Sequence, residues 1–596
     1  MRKNKLENKK IKRIFILKLN SRIDLRGPLK VKRRKSKKKN NLKFNYKKKN
    51  RKKAVRTVLQ FVVLAFVFFF FYQTLFYTKQ YQEPDKSSWS NSEGFIALSY
   101  FGVSRSGSET LIAKSQLEKQ LQVLKDQGYV TISQQDIIDF YEKGKPLPKR
   151  ALFLIFEDGR NDSSIFAQPI LEKLNYRATM STYANKFNKR EMKFLQPKDL
   201  LNMKETGYWE IGSNGYRLSY INIFDDDEKY YVAMDESEFD SLLPVEKYNH
   251  YLMDFLRDEH GVPIEERAQM EERIDKDYEL MKEIYQSDLG YIPNVYLIMH
   301  ANSLYNGMNQ LVENKNDENI KELFKLHFNR EGNSYNTQKM SLYNLSRVQP
   351  APHWAVNHLI MQIRQDSGED LEYIIGDEKL AEDWTMKSGV AEFTKNNIIL
   401  TSPPNEEGML LLKDSHKFQN YRVKLQMEGI PEGKKSIYLK YDESSGKYVK
   451  LTMENDQLSI IEKAGTTEKT IYQKLINDLK KKNSIKVDVI GNELAIWLND
   501  QLLYNHISFD SSIKSGAFAL SSEPIVLDSM QKYDDLYYKG AEIFDTRFTD
   551  IQITELDSSN EEGDILYSNM LQWYERVLSK VVEGFNAVID WAIESF

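Results

Sequence analysis

The pattern of apolar and polar residues along the chain begins with one long apolar run. Residues 57–77 contain no charge, and about 20 such residues cross a hydrocarbon core of ~30 Å as a helix. Arg56 precedes the run, and Tyr72 and Tyr77 lie toward its far end, where interfacial aromatics are expected. The pattern predicts a single transmembrane helix with a cytoplasmic N-terminus and the bulk of the chain outside. A cleaved signal peptide is the alternative, but the preceding basic region is longer than such peptides carry.

Strand-like and helix-like segments alternate between residues 95 and 370, after a polar linker at 78–94. The segment ALFLIF is apolar throughout, as in a strand buried on both faces, whereas SQLEKQLQVLKDQG spaces its apolar residues as an amphipathic helix does. Alternation of this kind predicts parallel strands joined by helical crossovers, in a barrel or an open sheet. An acidic, tyrosine-rich insertion at 225–288, which we expect to be mostly helical, interrupts the pattern.

The apolar period changes from 3.6 to 2 after about residue 380. Short alternating strands recur up to residue 556, and SIKVDVIGNELAIWLNDQLLYN predicts two hairpins with turns at Gly491-Asn492 and Asn499-Asp500. Strands at this spacing favour a β-sandwich of jelly-roll type. Residues 564–596 place their apolar side chains on one helical face and predict an amphipathic C-terminal helix.

Charge divides the chain at the apolar run. Of 85 Lys and Arg and 86 Asp and Glu residues, residues 1–56 hold 26 and 2, so this stretch carries a net charge of +24 and the remainder −25. The basic stretch is predicted to be a disordered cytoplasmic tail close to anionic lipid. The acidity of the remainder argues against nucleic acid as a partner. The chain has no cysteine, which excludes disulfides, thiolate metal sites and a cysteine nucleophile.

Several segments between residues 95 and 370 resemble the polysaccharide deacetylase family, the NodB-homology domain of carbohydrate esterase family 4. The segments are LKDQGYVTISQQDIIDFYEKGKPLP, LIFEDGRND beside the family's TFDDG, PILEKLNYRATMS, WEIGSNGYRL beside WEIGSHtxxH, and NSYNTQKMSLYNLSRVQP. The resemblance implies a deformed (β/α) barrel whose site lies at the carboxyl ends of the strands. It also implies hydrolysis of an N-acetyl group by a zinc-activated water.

The family's metal-binding residues are incomplete in this chain. By position in the motifs, Glu157 replaces the base aspartate and Asp158 matches the metal-ligand aspartate, whereas Asn214 and Leu218 replace the two histidine ligands. A zinc site normally has three protein ligands. We therefore expect no bound metal and no other cofactor. A divalent metal such as zinc would be bound only if the domain is an active deacetylase.

Further residues near these motifs are candidates for substrate binding: Asp162, Asn214, Tyr216, Arg217 and His300. Glu157 and Asp158 remain the candidate catalytic pair, since close carboxylates can act as acid and base. The alternative for Asp158 and Asp162 is that they cap the following helix, whose N-terminus favours negative charge.

The segment at 380–556 resembles laminin-G and concanavalin-like sandwiches through VDVIGNELAIWLNDQLLYN and IFDTRFTDIQITEL. Such a domain commonly binds carbohydrate or protein.

Together these features predict a single-pass plasma-membrane protein whose extracytoplasmic deacetylase-like domain binds or guides a cell-envelope polysaccharide or exopolysaccharide without the usual zinc chemistry. Two alternatives remain open: an active carbohydrate deacetylase or hydrolase with an atypical site, and a structural protein that joins an envelope protein complex.

Overall fold

The computed structural model describes residues 79–596 except 190, 243–244, 299–303, 306, 478–479, 525–541, 558–560 and 596, and only residues 53, 57, 58, 60–62 and 64 of the first 78. Nearly all of the predicted tail and most of the predicted transmembrane segment at 57–77 thus lie outside the described residues. Within the described part of the chain, no helix is both long and apolar enough to span a membrane.

The N-terminal half of the described chain alternates strands with helices. Its strands are β1 (Gly94–Tyr100), β2 (Val103–Ser104), β3 (Ile112–Ala113), β4 (Val130–Thr131), β5 (Ala151–Phe156), β6 (Ala178–Tyr183), β7 (Trp209–Gly215), β8 (Ser219–Asp225), β9 (Tyr230–Asp235), β10 (Val245–His250), β11 (Val295–Leu297), β12 (Leu326–Glu331), β13 (Tyr335–Thr337) and β14 (Leu345–Arg347). Its helices are α1 (Lys114–Asp126), α2 (Gln134–Lys143), α3 (Asn161–Leu174), α4 (Pro197–Glu205), α5 (Glu236–Leu242), α6 (Arg267–Asp288), α7 (Gln310–Leu323) and α8 (Val356–Ser367).

The parallel strands of this half close into a barrel-like sheet. Neighbours follow the order β1–β5–β6–β7–β11–β12–β14. The circle closes where Val348, directly after β14, pairs with Leu98 of β1. The backbone nitrogen of Val348 donates to the carbonyl of Ala97 at 3.0 Å, and that of Ser99 donates to the carbonyl of Val348 at 2.9 Å. The predicted barrel is confirmed as this sheet.

Alternate residues of the barrel strands pack on its two sides. Leu98, Leu154 and Met180 join the cluster that the surrounding helices cover. Phe153 and Phe328 belong to a second cluster, and their rings stack with centroids 5.4 Å apart although β5 and β12 are not neighbours. Both faces of the strands are therefore buried, which explains why ALFLIF is apolar throughout.

The secondary structure of the insertion between β7 and β11 differs from the one predicted from the sequence. Residues 225–288 were expected to be mostly helical, but β9 and β10 flank β8 in a three-stranded antiparallel sheet, and α6 is the long helix. Tyr231 and Met234 pack on a small cluster around Tyr220 and Ile223. Pairing with an apolar neighbouring strand outweighs the acidic composition of this segment.

The C-terminal half holds α9 (Glu378–Ala381) and two antiparallel sheets. Their strands are β15 (Trp384–Ser388), β16 (Val390–Thr394), β17 (Asn397–Thr401), β18 (Gly408–Leu412), β19 (Tyr421–Glu428), β20 (Lys434–Tyr441), β21 (Tyr448–Glu454), β22 (Gln457–Lys463), β23 (Lys469–Leu475), β24 (Lys482–Ile490), β25 (Glu493–Leu498), β26 (Gln501–Ser508), β27 (Ala517–Glu523), β28 (Asp545–Leu556) and β29 (Glu562–Ser568). Sheet orders are β15–β18–β27–β20–β21–β22–β23 and β16–β17–β28–β19–β24–β25–β26, with β29 also on β28. Inward residues of both sheets share one core, so this region is a β-sandwich.

The chain ends on a helix that begins later than its sequence pattern suggested. The amphipathic helix was expected from residue 564, but residues 562–568 form β29, and α10 spans Trp573–Ser595. Residues 562–568 instead pair with the long strand β28, whose backbone offers them hydrogen-bond partners.

Candidate functional site

The candidate site starts where β5 ends. Glu157 follows the strand and donates its backbone N–H to the carbonyl of Tyr100 at 2.9 Å. Asp158 and Gly159 then turn the chain toward α3 with φ values of +64° and +61°. A side chain on Gly159 would lie 2.8 Å from the Cγ2 atom of Thr182. Glycine is therefore required at this position by conformation and by space.

Strand β7 delivers Asn214 to the same edge of the barrel. Its Oδ1 atom accepts a hydrogen bond from the backbone N–H of Asp158 at 3.1 Å. Asn214 is buried, with 4% of its surface exposed. The residue at the first histidine position thus supports the turn that presents Asp158, and its amide oxygen is already engaged.

Leu218, at the second histidine position, lies against the insertion. It packs on the cluster that includes Tyr220, Ile223 and Phe239. Its side chain has no donor atom for a metal. The described residues at the two histidine positions therefore do not complete a zinc site with Asp158, since three protein ligands are the norm.

Glu157 is held by a residue that the sequence did not single out. Its Oε1 atom lies 3.0 Å from the Nε atom of Arg347, and both side chains are buried. Arg347 ends β14, which is joined to β1, and β1 pairs with β5. Barrel closure thus brings together residues 190 positions apart. Within the motif resemblance, the arginine of LSRVQP was the signal that could have identified it.

Asp158 is the other carboxylate at this edge, and it is partly buried. Burial, followed by the negative charges of Glu157 and Glu236, raises the pKa of Asp158 to about 7. Glu236 comes from α5 in the insertion, so sequence reasoning missed it as well.

A cleft of about 750 Å³ is lined by Glu236 but not by Glu157 or Asp158. Its walls come from the segment after β6, from the loop after β7 and from α5 with its flanks; they include Asn185, Tyr216, Arg217 and Glu236. Arg217 also lies 3.4 Å from the buried Asp277, measured from Nε to Oδ1. Tyr216 and Arg217 therefore line the same cleft as residues of the insertion.

The remaining candidates have other surroundings. Asp162 forms a two-pronged ion pair with Arg160, at 3.0 and 2.6 Å, and accepts from the backbone N–H of Ser163 at 2.8 Å. It lies in the first turn of α3, as the helix-terminus alternative proposed. His300 lies outside the described residues. Outside this candidate set, Nδ1 of His358 in α8 lies 2.8 Å from Oδ2 of Asp545 in the sandwich strand β28.

The curated relatives of this chain act on a polysaccharide. A poly-β-1,6-N-acetyl-D-glucosamine N-deacetylase from Escherichia coli O157:H7 is 24% identical over 210 residues, which are 34% of this chain and 30% of that protein. An enzyme of the same name from Staphylococcus aureus MSSA476 is 27% identical over 128 residues, 21% of this chain and 43% of its own. The resemblance to polysaccharide deacetylases is confirmed. The chain spans less than half the length of the curated relatives it matches.

Solved structures resemble the chain at lower sequence identity than these curated relatives do. A Streptococcus pyogenes deacetylase in complex with acetate is 14% identical, with a TM-score of 0.32, and covers 45% of this chain and 98% of its own. A carbohydrate-binding module from Bacillus subtilis is 15% identical, with a TM-score of 0.23, and covers 29% of this chain and 94% of its own. No family model matches the chain.

Proposed function

We propose that this chain is a polysaccharide deacetylase-like protein that binds a β-1,6-linked N-acetylglucosamine polysaccharide without hydrolysing it through zinc. The observation that carries the proposal is that the family's two histidine positions are occupied by residues with other structural roles. Asn214 supports the Asp158 turn, and Leu218 packs against the insertion. The sugar class is inferred from the curated relatives.

The cleft suits a glycan in size and chemistry. Ligand pockets are typically ~300–1,000 Å³, and this one is about 750 Å³. Tyr216, Phe187 and Phe194 contribute aromatic rings to its lining, and charged side chains of both signs contribute hydrogen-bonding groups. Aromatic rings can pack on the apolar faces of sugar rings, while the polar groups orient the hydroxyls.

The proposed setting is the outer face of a plasma membrane. The apolar run at 57–77 would anchor the protein, with the +24 stretch at the inner leaflet. Several apolar side chains of α10, including Trp573, Leu578 and Phe585, are more than half exposed. Their exposure supports a protein partner in the envelope.

A binding measurement tests the proposal. Full-length protein in nanodiscs should bind a β-1,6-linked N-acetylglucosamine hexasaccharide, with Tyr216→Ala weakening the affinity at least roughly tenfold, as expected for a central aromatic contact. Isothermal titration calorimetry gives both dissociation constants.

Tyr291→Ala is the matched control, because Tyr291 is also partly buried against the barrel core but does not line the cleft. Its affinity should equal that of the unmodified protein. Absence of binding, or equal losses in the two variants, would contradict glycan binding in this cleft.

The alternative, an active deacetylase, needs further metal ligands around Asp158. Asn214 and Leu218 do not supply them, and among the described residues no group of three or more His, Asp and Glu side chains is placed to hold a metal ion. Acetate release separates the two functions.

A further inference from the structure

A second cleft, the junction cleft, lies between the barrel and the sandwich. Its volume is about 400 Å³. One wall comes from α1, around Ser115, and from residues 352–356, which follow β14. The other wall comes from β16, β17, β19 and the start of β28 in the sandwich. Ligand pockets occur preferentially at domain junctions, and this volume lies within their usual range of ~300–1,000 Å³.

Buried polar contacts hold the two walls of the junction cleft together. The Oδ2 atom of Asp545 in β28 accepts a hydrogen bond from the backbone N–H of Ala355 at 2.9 Å and lies 2.8 Å from Nδ1 of His358. Lys119 of α1 forms an ion pair with Glu392 of β16. The junction cleft is therefore part of a fixed contact between the barrel and the sandwich.

The charges in the lining of the junction cleft balance one another. Besides a histidine, the ionisable side chains in the lining are three basic and three acidic ones: Lys119, Lys481 and Arg547, and Glu392, Glu428 and Asp545. A simple anion would meet the carboxylates, and a simple cation would meet the basic groups. A neutral ligand rich in hydroxyl groups avoids both costs, because each hydroxyl both donates and accepts hydrogen bonds.

Several of the polar groups in this lining are available to a ligand. Arg547 and Lys481 are exposed and form no ion pair with any residue that the structure describes. Ser115 is also exposed in the lining, and the carboxylate of Glu428 has no cationic partner in the described part of the chain. Donors and an acceptor thus face one cleft, which is the combination that sugar hydroxyls require.

We propose that the junction cleft is a second binding site for a short stretch of the same polysaccharide, with Ser115, Arg547 and Lys481 as hydrogen-bonding groups. The sugar class rests on the proposed function, whereas the site is separate from the first cleft, which is lined by Tyr216 and Glu236. Two sites on one chain favour a long polymer over a short oligosaccharide, because the second contact is intramolecular.

Photo-crosslinking on the full-length protein in nanodiscs tests this site. The probe is a β-1,6-linked N-acetylglucosamine trisaccharide that carries a diazirine, and labelled peptides are mapped by mass spectrometry. We expect labelling in two regions, residues 184–219 and the junction cleft, and unlabelled trisaccharide should compete at both. Ser115→Trp should lower labelling of the junction cleft at least roughly tenfold, because the indole fills the space, and should change labelling of the first cleft less than about twofold.

Asp126→Trp is the matched control, since Asp126 is exposed on the same helix but does not line the junction cleft; both labels should remain. Arg547→Ala removes an exposed, unpaired side chain without adding bulk, and it should also weaken labelling of the junction cleft. Labelling of the first cleft alone, or junction labelling that survives both Ser115→Trp and Arg547→Ala, would overturn the second site while the proposed function stands. Labelling of the junction cleft alone would support the second site and contradict binding in the first cleft. Absence of competed labelling at both places would overturn both proposals.

Discussion

Replacing Glu157 by alanine is expected to lower the free energy of unfolding by about 3–5 kcal/mol, the cost of leaving one partner of a buried ion pair unpaired. Arg347 would keep its charge in a site where it is 4% exposed. Its other carboxylate neighbour, Glu331, lies 3.8 Å away and is partly exposed, so its compensation is incomplete. The shift of the urea unfolding midpoint of the barrel measures this loss.

The double variant Glu157→Leu/Arg347→Met should recover most of the loss, because removing both charges also removes their desolvation cost. The control is Glu118→Ala, which breaks an exposed ion pair with Lys173 in the same domain. An exposed pair contributes about 0–1 kcal/mol. If Glu157→Ala lowered the free energy of unfolding no more than Glu118→Ala does, the buried pair would not stabilise the barrel.

Asn214→His/Leu218→His is expected to create a zinc site by restoring histidines at the family's two ligand positions. Four-ligand sites bind zinc with apparent free energies of ~10–16 kcal/mol, or roughly 2.5 kcal/mol or more for each ligand. Two added histidines beside Asp158 should therefore tighten zinc binding at least roughly a hundredfold. Competition against a chromophoric chelator measures the change.

Asn214→His/Tyr216→His carries the same number of histidines at the wrong spacing and is the control for this experiment. It should gain less than tenfold. Equal gains in the two variants would mean that the backbone around residues 214–218 does not hold the geometry of the family's metal site.

The sequence predicted the regular parts of the fold because local patterns dictate them. Buried runs such as ALFLIF identified the barrel strands, and the hairpins of β24–β26 follow from turn residues: Gly491, Asn499 and Asp500 all have positive φ, which the turn type requires. The insertion was mispredicted because β9 and β10 depend on pairing with β8, and such pairing is decided by context rather than by composition.

Local order also accounts for part of the site. Asp158 and Asn214 each come near the end of a barrel strand, so parallel pairing of β5, β6 and β7 places them together. The sequence offered only the motif resemblance around Arg347 and no signal for Glu236. Arg347 meets Glu157 only through barrel closure, and Glu236 reaches the cleft on an insertion whose fold was not predicted. The transmembrane segment at 57–77 stays a prediction.

Zinc-dependent acetate release tests the central claim most directly. Full-length protein would be titrated with zinc by calorimetry and then incubated with a fully N-acetylated β-1,6-linked glucosamine oligosaccharide, with free acetate measured enzymatically. We predict no stoichiometric zinc binding at micromolar concentration and no acetate above the protein-free control. One tightly bound zinc per chain, together with acetate release that Asp158→Ala abolishes, would contradict the account.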